Sequence, residues 1–178
     1  SAALAQANAA LEVQKAKLAS LSSGTRPEQL AIDQTNVAQA QAALVNALQN
    51  AYVASDDAIH VKADQLFTNP RTSSATIAFP VYDATLVQKS ESERIALEPI
   101  LPEWQSVLAG AQNDPVGAAA SVTGYLNQMS AFLDNLALLL AETPVGGSVT
   151  ATALSGYQGS VNAARTEISG GAGALAGV

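Results

Sequence analysis

The chain has 178 residues, of which 48% are hydrophobic but only 4% aromatic, and a formal net charge of −7 from 15 acidic and 8 basic side chains. Lys and Arg are scattered through an acidic chain, which excludes the clustered positive surface that nucleic acids and anionic bilayers require. No cysteine is present, which excludes disulfides and thiol chemistry, and no apolar run approaches the roughly 20 residues that span a bilayer. Direct membrane insertion by these residues is therefore not expected, and no secretory leader is recognisable among them. Much of the hydrophobic share is alanine, which buries little surface per residue. Larger apolar side chains become commoner after Tyr52, and a thicker core is expected there.

The first predicted helix covers residues 2–22, where Leu4, Leu11 and Leu18 recur every seven residues. Leu30, Val37 and Leu44 repeat that interval in a second helix. Such spacing keeps one apolar stripe on one side of a helix and calls for a partner helix. Between the two lies Gly24-Thr25-Arg26-Pro27-Glu28. Gly24 suits the left-handed position that ends a helix, Thr25 suits a cap, and Pro27 and Glu28 suit the first turn of the next helix. Arg26 is read as part of this structural break. The expectation is a coiled-coil hairpin over residues 1–51, with Leu11, Leu18, Leu30, Val37 and Leu44 in its seam.

The second helical pattern then runs without Gly or Pro to Asn69-Pro70, on the order of 40 residues, long enough to be shared by two substructures. Residues 69–81 read as a loop bracketed by Pro70 and Pro80, and the alternation of Ile77, Phe79 and Val81 suggests a short extended piece. A third helix is predicted from about Asp83, broken or kinked by Pro99 and Pro102. Asp114 caps the fourth with Pro115 at its first position, and Val122, Leu126, Met129, Phe132, Leu133, Leu136 and Leu140 give it a strong stripe. A fifth helix is predicted from about Ser148, followed by a Gly-rich tail, 171–178, that is expected to fray. The predicted class is all-α, an antiparallel four-helix bundle over 52–170 mounted on the helical hairpin.

Few residues suggest chemistry. Asp56, His60 and Asp64 fall at i, i+4 and i+8, on one face of an α-helix, and are the residues that a metal site would use. With a single histidine in the chain, the preferred reading is a solvated charged face and no metal. Lys89 with Glu93, and Arg94 with Glu98, read as surface ion pairs. Trp104, Tyr125, Phe132 and Tyr157 read as core aromatics, with a ligand pocket as the alternative. No phosphate-binding glycine loop and no nucleophile elbow occurs. Neither a catalytic centre nor a cofactor is expected.

The stretch Leu18-Ala-Ser-Leu-Ser-Ser-Gly-Thr-Arg-Pro-Glu-Gln-Leu30, followed by Ala38-Gln-Ala-Gln-Ala-Ala-Leu44, resembles the α-helical hairpin part of HlyD-type periplasmic adaptors, or membrane fusion proteins. Members of that family separate Ala-, Gln- and Leu-rich helices with a similar Gly-Thr-Arg-Pro-Glu break. The resemblance covers about the first third of the chain. It implies a non-catalytic scaffold that bridges an inner-membrane exporter to other envelope components, with the exporter and other adaptor copies as partners. It also implies a periplasmic or extracytoplasmic location, with a membrane anchor and lipoyl-like β halves supplied outside these residues. Residues 52–102 are similar, in architecture, to the extracellular sensing bundles of chemoreceptors. That second likeness implies a module that binds a small molecule or ion.

Overall fold

The computed structural model describes the backbone of residues 2–23, 26–146 and 149–177, and the side chains of 10–20, 28–146 and 149–177. The fold is all-α. Helices α1 (Ala2–Ser23) and α2 (Arg26–Asp57) are followed by a π-helical turn (Ala58–Ala63) and a 3₁₀ turn (Asp64–Leu66). After these come β1 (Phe67–Thr68), β2 (Thr76–Ile77), α3 (Ala84–Leu97), α4 (Ile100–Gly110), α5 (Pro115–Ala141) and α6 (Ala151–Ala176). The chain divides into two compact units, Ser1–Gln41 and Ala42–Val178. That division lies ahead of the boundary expected between residues 51 and 52. Burial sets it, because the core starts at Val45, with Leu44 partly buried against it.

In the first unit the expected seam does not close. Leu11, Leu18, Leu30 and Val37 are 52%, 69%, 58% and 57% exposed. Of the five seam residues only Leu44 is packed, and it packs against the core of the second unit. Heptad spacing specifies a stripe and demands a partner, but it does not place that partner in the same chain. Gly24 and Thr25 lie outside the described residues. Arg26 and Pro27 form the first turn of α2 as expected, although their side chains are not described, and Glu28 is exposed in the same turn.

In the second unit α5 is the central element, packed by α3, α4 and α6, while α6 also packs on the π-helical turn. Local chemistry sets the helix starts. Asp83 accepts hydrogen bonds from the Thr85 and Leu86 amides at 2.8 and 3.1 Å. Asp114 accepts from the Gly117 amide at 2.9 Å with Pro115 behind it, and Thr150 accepts from the Ala153 amide at 3.1 Å. Each cap satisfies an amide that the helix leaves unpaired. Pro99 separates α3 from α4, as predicted, whereas Pro102 sits in the first turn of α4 and does not end it. Phe67 pairs with Ile77 and Thr68 with Thr76 in an antiparallel ladder. Asn69 turns that hairpin with φ 53°, a left-handed conformation that asparagine tolerates better than most residues.

Two further expectations fail here. The second helix does not run unbroken to Asn69, because it winds as π and then as 3₁₀ after Asp57. The tail does not fray within the described residues, since α6 continues to Ala176 with Leu175 packed on the core. Gly171 makes this possible. A Cβ there would lie 3.3 Å from Ala51 Cβ and 3.7 Å from Leu126 Cδ2, so the missing side chain lets α6 approach closely.

Candidate functional site

The chemistry-bearing residues of the second unit gather around the π-helical turn. Within it, Ala58, Ile59 and Ala63 are buried, and Leu66 is buried in the 3₁₀ turn that follows. Winding that departs from the α-helix shifts every later side chain to a new bearing, and such insertions often occur at functional positions. The shift separates the predicted Asp56, His60 and Asp64 triad. Asp56, in the last turn of α2, and His60, inside the π-helical turn, stay together, with His60 Nδ1 2.7 Å from Asp56 Oδ1. Asp64, 8% exposed, turns inward instead. It accepts from Arg94 Nε at 2.6 Å and from Arg71 Nε at 3.1 Å. Among the described residues no group of three His, Cys, Asp or Glu side chains is placed to hold a metal ion.

Arg94 overturns its reading as a surface residue. It pairs with Glu98, Nη1 to Oε2 at 2.9 Å, but its side chain is entirely buried. A buried guanidinium requires neutralising partners and filled hydrogen bonds. Asp64 takes the Nε hydrogen bond and Glu98 the Nη1 bond, while Nη2 is buried without a partner among the described residues. Asp64 lies 30 positions away, so no local pattern points to it. Glu98 Oε2 also faces His60 Nε2 at 3.6 Å. Arg71 closes the loop by donating from Nη2 to the His60 carbonyl at 3.2 Å. A connected cluster thus joins the end of α2, the π and 3₁₀ turns, the hairpin loop and the last turn of α3.

A second contact ties the same turn to α6. Lys62 bonds Asp57 at short range and donates to Glu167 Oε1 at 2.7 Å. Its hydrogen bonds to Asp57 and then to Glu167 raise its pKa above the ordinary 10.5, against the opposing effect of burial. Lys89 and Glu93 do not form an isolated surface pair. They stand 4.0 Å apart and share Asn135 of α5, which donates to Glu93 at 2.8 Å and accepts from Lys89 at 3.1 Å.

The aromatics do not converge on one pocket. Trp104 is fully buried, edge-on to Tyr52 and tilted against Tyr125, each with ring centres 5.8 Å apart. Phe132 packs with Phe67, and Tyr157 stacks on Phe79 at 5.3 Å. These are core contacts. An open groove of about 690 Å³ runs between α5 and α6, crossed by the Asp134–Arg165 pair at 2.7 Å. Its other lining residues include Ser130, Asn162, Thr166 and Ser169.

No family model matches the chain, and no curated protein and no solved structure matches it. No helix among the described residues is long and apolar enough to cross a membrane.

Proposed function

We propose that this chain is a non-catalytic helical scaffold of the HlyD-like periplasmic-adaptor type, which bridges an inner-membrane exporter to other envelope components. The observation that carries this reading is the exposed stripe of the first unit. Leu11 and Leu18 in α1, and Leu30 and Val37 in α2, recur at seven-residue spacing and stay more than half exposed. Apolar surface left in water forgoes about 25 cal/mol per Å², which a docked helix would recover. In this reading the stripe belongs to helices of the exporter assembly or of other adaptor copies. In the second unit, the end of α2 with its π and 3₁₀ turns, the α3–α4 pair, α5 and α6 act as the four antiparallel segments of a bundle. The protein works outside the cytoplasm, held there by segments beyond these residues.

A photo-crosslinking side chain at position 37, in the protein expressed with its own exporter, tests the reading. Adducts with an exporter or channel subunit support it, and a protein that stays uncrosslinked at both 18 and 37 refutes it. The second reading is an extracytoplasmic sensing module, favoured by the buried charge cluster around Arg94 and Asp64. A ligand-dependent rise in melting temperature that is lost in cluster variants would select it.

A further inference from the structure

We propose that His60 is a proton-operated clamp that fastens the π-helical turn to the corner between α3 and α4. Both ring nitrogens face carboxylate oxygens, Asp56 Oδ1 at 2.7 Å from Nδ1 and Glu98 Oε2 at 3.6 Å from Nε2. A neutral imidazole has one N–H, so it can offer a donor to only one of the two. With Nδ1–H given to Asp56, the bare Nε2 lone pair points at a carboxylate oxygen. That nitrogen is buried and has no hydrogen-bond partner among the described residues. A second proton turns this repulsion into an ion pair. The His60 side chain is 15% exposed, while Asp56 and Glu98 are 47% and 38% exposed, so water screens the pairs in part.

Charged groups reach the surroundings of the ring from several elements. Asp56 on α2, Asp64 on the 3₁₀ turn and Glu98 after α3 face Arg71 from the hairpin loop and Arg94 from α3. Three carboxylates thus meet two guanidiniums, and the imidazolium supplies the missing positive charge. On the α6 side, Lys62 is occupied by Asp57 and Glu167, which leaves it outside this balance. Loss of the His60 proton leaves Glu98 held by Arg94 alone, at 2.9 Å, and so loosens the tie between the π-helical turn and the corner. The device couples acidity to the packing of α3 and stands independently of the adaptor reading.

The chain holds one histidine, so its imidazole NMR signals report this site alone. Folding constants of the 178-residue chain and of His60→Gln, measured by urea unfolding at pH 5.5 and 8.5, give the first test. The variant is expected to lose about tenfold more of its folding constant at the lower pH, the worth of one charge-assisted bond. Equal losses at the two pH values, or a larger loss at 8.5, overturn the proposal. If His60→Gln does not fold, the imidazole titration of the unmodified chain is compared with that of Glu98→Gln. A midpoint that moves to lower pH in the variant supports the clamp, and an unmoved midpoint refutes it.

Discussion

Replacing Arg94 with methionine tests the idea that one ion pair holds the second unit together. The side chain is fully buried, and its Nε lies 2.6 Å from Asp64 Oδ1. Methionine keeps most of the packing volume, so the loss is mainly electrostatic. Asp64, 8% exposed, is left with Arg71, whose side chain is 55% exposed and held at 3.1 Å. A half-solvated arginine contributes little, about 1 kcal/mol or less. Removing one partner of a buried pair costs about 3–5 kcal/mol, and the residual Arg71 contact puts this case near 3. For a unit of this size that corresponds to a fall in Tm of about 10 °C. Urea unfolding followed by circular dichroism reads the change directly. A companion variant, Arg94→Met with Asp64→Leu, removes the stranded charge as well and should recover more than half of the loss. A single-variant loss below about 1 kcal/mol, or a double variant no better than the single, would refute the reasoning.

Other expectations follow from burial and charge. Leu48 is wholly buried while Val37 is 57% exposed. Leu48→Asp should therefore unfold the second unit, by more than about 4 kcal/mol, whereas Val37→Asp should stay within about 0.5 kcal/mol for the isolated chain. Circular-dichroism melts of the two distinguish them. At position 171, valine should cost about 1–3 kcal/mol by pushing α6 from Ala51, while alanine should be near neutral because its better helix propensity offsets a tight contact at 3.3 Å. Lys62 has a raised folded-state pKa, so its contribution is fully present below the ordinary value of 10.5 and is lost as pH climbs through the folded value. The stability gap between the unmodified chain and Lys62→Met should hold from pH 7 to 10 and narrow only above about 10.5, as measured by urea unfolding across that range.

Features governed by neighbours in sequence were legible without a structure. Asp83 and Asp114 cap helices because a short acceptor side chain reaches amides two or three residues ahead, and Pro99 divides α3 from α4 because it has no amide hydrogen to give. The stripe of α5 was equally plain, since Val122, Leu126, Met129, Phe132, Leu133, Leu136 and Leu140 all fall on its buried face. The tertiary structure decided the rest. Periodicity marked Leu11, Leu18, Leu30 and Val37 as an apolar stripe but carried no information about where a partner lies, and within this chain they stay exposed. Spacing that assumed regular α winding put Asp64 beside Asp56 and His60, and the π-helical turn carried it away to Arg94. Arg94 beside Glu98 looked like any surface pair. Its burial depends on a carboxylate 30 positions earlier in the chain, and burial of charge is a property of packed elements that no local pattern encodes.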